Sequence, residues 1–233
     1  AGQLWRPGCL LRTQGRPVTA LFSRQPSRGE FLWCGPDNGP PVLLLQPLFE
    51  EANRFRRTLA LCMRALGDLG IASILPDLPG TGESLTPIDA VRMADWQDHV
   101  RALCDEVRPT GIASFRGGAV LGDMGPPCRG FFPGTRARLF RDLERVRAAS
   151  RSGDTGAYAG HRLSAAFVEE LRAMALHPAL RLRTVRLEGD AQPADLVLPG
   201  APLWRRAEPG EDPELALAMA RDIADWVARC GAR

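Results

Sequence analysis

Lysine is missing from this chain: all 30 basic residues are arginine. Schiff-base enzymes, pyridoxal-phosphate enzymes and P-loop nucleotide enzymes each need an ε-amino group, so the composition excludes all three. Long apolar runs are missing as well. No stretch approaches the roughly 18 residues of a membrane-spanning helix, and Ala1–Leu10 has no basic segment leading into an apolar core of signal-peptide length. The expectation is a cytoplasmic protein with no membrane span. Cysteine is sparse and unpatterned. Cys9, Cys34, Cys62, Cys104, Cys128 and Cys230 form no C-x-x-C pair and no metal-like spacing with His, which reads as reduced thiols and no metal site. Concentrated charge is absent too. A formal net charge of +3, with arginines dispersed through helical segments, gives no footprint for nucleic acid. The 233 residues fit one domain with one sizeable core better than two, and nothing in them calls for a cofactor.

What is present alternates. Residues 1–30 hold short apolar runs such as Val18–Phe22, read as an antiparallel edge hairpin. Val42–Gln46 is a continuous apolar run of strand length, as a parallel strand buried on both faces requires. Glu50–Gly70 follows with Phe55, Leu59, Cys62, Leu66 and Leu69 at helical spacing and Gly70 at its end. Ile71–Pro76 reads as the next strand and Pro87–Val107 as the next helix, with Val91, Trp96, Val100 and Leu103 on one side. Gly111–Ser114, Arg183–Leu187 and Asp195–Leu198 are the remaining strand candidates. The closing helix has Asp212 as its cap, Pro213 in its first turn and Gly231 at its end. Such alternation implies right-handed crossovers and a mainly parallel sheet flanked by helices. Residues 126–180 are less regular, with Pro126-Pro127, an arginine-rich helix over Thr135–Ala149 and another over Ser164–Ala175; they read as a small helical cap inserted into the domain.

Two motifs, Asp77–Ser84 and Ser114–Gly118, resemble those of the α/β-hydrolase fold and give the expected fold class. Asp77-Leu78-Pro79-Gly80-Thr81-Gly82-Glu83-Ser84 lies between a strand and a helix, as many α/β hydrolases have it after their fourth strand. Gly80 and Gly82 give the turn its sharpness, and Asp77 and Ser84 have the side chains to hold loop amides. Asn53 is grouped with these four as loop structure. A phosphate-binding reading of the glycines has the helix N-terminus in its favour but no lysine to support it.

The second motif is Ser114-Phe115-Arg116-Gly117-Gly118, which occupies the nucleophile elbow. An elbow needs small residues on both sides of its strained central residue, and Ser114 and Gly118 supply them. The central residue, however, is Arg116. A guanidinium stays protonated with a pKa above ~12 and cannot attack a carbonyl. Ser114 itself lacks elbow flanks. A triad His belongs in the loop after the last strand, and residues 199–212 contain none. His99, His161 and His177 read as surface or packing residues. Gln46–Arg54 is the loop that would give an oxyanion-type amide, with Phe49 and Gly117 as the backbone donors. Its two acids, Glu50 and Glu51, have two compatible readings: a partner for Arg116 in a partly buried site, or complements to the positive end of the helix that starts there.

Taken together, these residues resemble a bacterial group, the exosortase A system-associated hydrolases, and in particular its second type. Pro47-Leu48-Phe49-Glu50-Glu51-Ala52-Asn53-Arg54 is similar to that group's Pro-Pro-Phe-x-Glu-Glu-x-Asn-Lys loop, and the likeness continues through Arg57 and Leu75–Ser84. Tyr158–Ser164 resembles its Ala-Gly-Tyr-x-Leu-Ser segment with His161 replacing an aromatic, and Pro202-Leu203-Trp204 resembles its Pro-Pro-Phe-Trp. The resemblance implies an Arg at the elbow, where the first type has a Cys, and a setting of exopolysaccharide synthesis and protein sorting. Two functions follow. One is a hydrolase or acyltransferase on an ester or acylated sugar, with an unusual nucleophile or a water held by Glu50 or Glu51. The other is a non-catalytic accessory protein, a pseudoenzyme, that holds an anionic ligand or a protein partner through Arg116.

Overall fold

The structure is a computed structural model. It describes residues 40–122, 128–132 and 183–231, the strands within 12–34, and, between 133 and 182, residues 139–141, 143, 144, 148, 157, 158 and 161–176. Eight strands form one sheet: β1 (Ala20–Gln25), β2 (Gly29–Cys34), β3 (Val42–Leu45), β4 (Ser73–Pro76), β5 (Gly111–Phe115), β6 (Cys128–Phe131), β7 (Arg183–Leu187) and β8 (Leu196–Leu198). Their order across the sheet is β1-β2-β4-β3-β5-β6-β7-β8. Only β2 runs against its neighbours, pairing antiparallel with β1 and β4, and every other ladder is parallel. Two short antiparallel pairings, 12–13 with 16–17 and 157–158 with 161–162, stand apart from this sheet.

Four α-helices are described: α1 (Glu50–Asp68), α2 (Met93–Val107), α3 (Ala165–Leu176) and α4 (Pro213–Gly231). They cover both faces of the sheet, because the central strands are apolar on both. In β3, Val42 and Leu44 join the core under α1 and α4, while Leu43 and Leu45 join the core under α2 and α3. The two-residue period of a strand makes that division. α1 packs on α4 and α2 on α3. The last turn of α1 closes as its glycine anticipates, Ile71 N–H donating to Leu66 O at 2.9 Å and Gly70 N–H to Gly67 O at 3.0 Å. Asp212 Oδ1 accepts from Leu215 N–H at 2.9 Å and caps α4. No helix among the described residues is long and apolar enough to cross a membrane.

Two elements differ from the sequence pattern, each for a physical reason. The segment read as one helix over 87–107 begins with a separate 3-10 turn, Ile88–Ala90, and α2 proper starts at Met93, with Asp95 accepting from the Arg92 N–H at 2.7 Å. Residues 128–131 were placed in the cap region on account of Pro126-Pro127, but they form β6, between β5 and β7. A strand of four residues broken by Gly130 carries almost no periodic signal, and what holds it is tertiary: Phe131 stacks on Phe115 with ring centroids 5.0 Å apart. The antiparallel pairing expected at the sheet edge is present, with Ala20–Gln25 against Gly29–Cys34.

Candidate functional site

β5 ends at Phe115, and the chain turns at once into a 3-10 helix, Arg116–Leu121. Arg116 makes the turn with φ +51, a left-handed conformation that costs a residue with a β-carbon about 1–2 kcal/mol. Among the described residues only three other non-glycine residues share that region, Phe49, Arg108 and Phe132, and two of them touch this site. Clustered strain of this kind marks functional geometry. The flanks explain the small residues. A Cβ on Gly118 would lie 2.4 Å from Gln46 O and 2.6 Å from Leu45 O, so the turn presses directly on the end of β3. Ser114 is fully buried in β5, in register with Leu45, and borders neither of the cavities described below.

The guanidinium of Arg116 is held by three groups. Its Nη2 and Nε donate to the two oxygens of Glu51, at 2.9 and 3.2 Å, in a forked pair. Nη1 donates to Phe132 O at 3.0 Å. The Trp204 ring lies over the group, 4.7 Å from Cζ to ring centroid. The Arg116 side chain is only 12% exposed, so the pair is largely removed from water. Trp204 sits in the 3-10 turn Leu203–Arg205 that follows β8, the loop in which a triad would carry its His. It is fixed there by stacking on Phe132, centroids 5.2 Å apart, and by Arg54 Nη1, which donates to Trp204 O at 3.2 Å.

The two acids of the α1 loop therefore have separate roles. Glu51 faces the elbow. Glu50 faces outward, half exposed, and accepts from Arg54 at 3.1 Å one turn along the helix. Phe49 begins α1 with φ +58, and its ring meets Trp96 and His161 at centroid distances of 5.9 and 5.8 Å. Gly117 is buried beside it, with Leu48 Cγ 3.1 Å from where a Cβ would be. In the Asp77–Ser84 loop, Asp77 Oδ2 accepts from Glu83 N–H at 3.0 Å, and Ser84 Oγ accepts from Gly80 N–H at 3.0 Å and Thr86 N–H at 3.3 Å. Gly82, with φ +55, has no room for a side chain, since a Cβ would lie 2.3 Å from the Asp77 carboxyl. Asn53 does not brace this loop. It lies within α1, exposed, and its side chain makes no hydrogen bond among the described residues.

Among the described residues, two cavities lie at the carboxyl ends of the strands, where α/β sheets place their ligands, and the smaller borders Arg116. The smaller, about 210 Å³, is bordered by Arg116, Phe132, Arg186, Trp204, Arg205 and the turn over residues 188–192. In that turn Arg186 Nη1 donates to Asp190 Oδ2 at 2.9 Å. The larger, about 340 Å³, opens on the other side of the 46–49 loop; Gln46, Phe49, Asn53, Arg56, Thr81 and His161 are on its walls. The sequence reading treated His161 as packing, and it does pack on Phe49, but it also borders this cavity. The segment resemblance marks His161 in the sequence, but only the tertiary structure brings it to this cavity, from the region between β6 and β7. His99 is half-buried on α2, and His177 lies outside the described residues. Among the described residues no group of His, Cys, Asp and Glu is placed to hold a metal ion.

No family model matches the chain, and no curated protein matches it. Solved structures do. Est1E from Butyrivibrio proteoclasticus is 13% identical with a TM-score of 0.57, over 93% of this chain and 100% of that one. Alpha/beta hydrolase domain-containing protein 10 from mouse is 14% identical with a TM-score of 0.56, over 90% and 100%. Epoxide hydrolase A from Mycobacterium thermoresistibile is 15% identical with a TM-score of 0.53, over 89% and 98%. The chain has the α/β-hydrolase fold, and at these identities the likeness establishes the fold alone.

Proposed function

We propose that this α/β-hydrolase-fold protein binds its ligand without hydrolysing it, as a cytoplasmic accessory component of the exopolysaccharide and protein-sorting setting that its resemblance to the exosortase A system-associated hydrolases implies. One observation carries the reading: the elbow holds a guanidinium locked in a forked pair with Glu51. That pair disfavours both routes to hydrolysis, a protein nucleophile that forms an acyl intermediate and a base-activated water that attacks directly. Arg116 has no electron pair to give, and Glu51, with both oxygens engaged, is in no position to activate water as a general base. Glu50 is turned to the surface and paired with Arg54. The stretch between β6 and β7 is read as the cap over the site.

A second reading has a specific observation in its favour. Arg116 borders the smaller cavity together with Arg186 and Arg205, so an anionic group such as a carboxylate has cationic walls there. Glu51 and Asp190 already neutralise two of the three, Arg116 and Arg186, and this places the anion role second. The test is an esterase assay with p-nitrophenyl acetate and butyrate on the purified chain. Wild type, Arg116→Ala and Glu51→Gln are all expected to match the no-protein background. Turnover by wild type that Glu51→Gln abolishes would overturn the binding role.

A further inference from the structure

The larger cavity has a lining that selects a ligand class. α1 presents residues 49, 52, 53 and 56 to it, the i, i+3, i+4, i+7 face of a helix, while Phe55, Leu59, Cys62 and Leu66 bury the opposite stripe in the core. That face ends in two polar groups, Asn53 and Arg56. Gln46 joins them from the end of β3, Thr81 and Glu83 from the loop after β4, and His161 from the far wall. Gln46, Asn53 and Arg56 make no side-chain hydrogen bond or ion pair among the described residues. Their donors and acceptors are unspent. Phe49, Leu78 and Ile88 supply an apolar wall.

From this lining we infer that the cavity is a binding site for a neutral, hydroxyl-bearing ring of monosaccharide size. An apolar ligand is disfavoured, because it would desolvate two amides and a guanidinium without pairing them. A simple anion is disfavoured as well: among the described residues Arg56 is the one arginine on the walls, and Glu83 adds a negative charge to them. A polyhydroxylated ring satisfies the set, since each hydroxyl both donates and accepts and each amide does the same. Its less polar face has Phe49 to lie against. A volume of about 340 Å³ is at the lower end of ligand pockets, which suits one ring rather than an extended chain. Arg116 borders the other cavity, so the site is separate from the elbow cation.

This assignment names the ligand class for the binding role proposed above and rests on that role, yet the two fail separately. The experiment is saturation-transfer NMR followed by calorimetric titration of the full chain with D-glucose and N-acetyl-D-glucosamine, with D-glucuronate and inorganic phosphate as anionic probes. Wild type is expected to bind a neutral sugar in preference to both anions. Asn53→Ala and Arg56→Ala, both at exposed helix positions that leave the fold intact by circular dichroism, each weaken it about fivefold or more. Arg205→Ala, in the other cavity, leaves it unchanged. The assignment is overturned if no sugar binds, if Asn53→Ala and Arg56→Ala bind as wild type does, or if glucuronate and phosphate bind best. Ester turnover, by contrast, would sink the non-hydrolytic role and leave a sugar site standing as a substrate pocket.

Discussion

Removing the carboxylate opposite Arg116 tests the elbow most directly. Glu51→Gln keeps the shape of the side chain and deletes its charge, leaving a guanidinium that is 12% exposed with no counter-charge and only neutral partners, one amide oxygen, the Phe132 carbonyl and the Trp204 ring. Breaking a fully buried pair costs about 3–5 kcal/mol. Glu51 is 26% exposed and a cavity adjoins Arg116, so water screens part of the loss and the expected cost falls to about 2–3 kcal/mol. That is about a 30- to 160-fold shift in the unfolding equilibrium, and a fall in Tm of about 4–12 °C for a domain of this size. Urea unfolding followed by tryptophan fluorescence and circular dichroism gives the measurement, with coincident transitions licensing the two-state treatment. The decisive comparison is a cycle with Arg116→Met. When both charges are gone no ion is stranded, so the double variant is expected to be more stable than the two single losses summed, by about 1.5 kcal/mol or more. Additivity within about 0.5 kcal/mol would refute the coupling and with it the account of the elbow.

Three further outcomes follow from the same structure. Gly118→Ala drives a Cβ into the carbonyls of Gln46 and Leu45, backbone atoms that cannot step aside, and is expected to cost about 2–4 kcal/mol or to prevent folding, read as Tm or soluble yield. Asp212→Ala removes the cap of α4 and is expected to cost about 1 kcal/mol in the same urea assay. Acid should loosen α3 from α2. Burial alone would raise the pKa of Glu170, but hydrogen bonds from the Arg92 side chain and the Ala94 amide outweigh it and hold the carboxyl below its ordinary value. A depressed carboxylate contributes stability above about pH 4.3, and that contribution is lost as pH falls through the lower folded value. The hydrogen-exchange protection of α3, taken relative to the intrinsic rate at each pH, is expected to fall between about pH 5 and 3, and Glu170→Gln to flatten that dependence.

The sequence by itself determined the elements whose signal is local. The strands at 42–45, 73–76 and 111–115 announce themselves as apolar runs because they are buried on both faces, and α1 and α4 do so through a helical stripe and their end residues. The elbow was equally legible, since a small-x-x-x-Gly pentad after a strand is a steric requirement and Arg116 stands out against it. Tertiary structure alone decided the rest. β6 is recognisable as a strand only beside β5 and β7. The division of labour between Glu50 and Glu51 depends on which side of α1 the elbow lies, and Trp204 reaches Arg116 from 88 residues further along the chain. His161 is brought to the same cavity as Asn53 and Arg56 of α1 from more than 100 residues further along the chain. Periodicity and turn chemistry are properties of neighbours in sequence, whereas a site is made of neighbours in space.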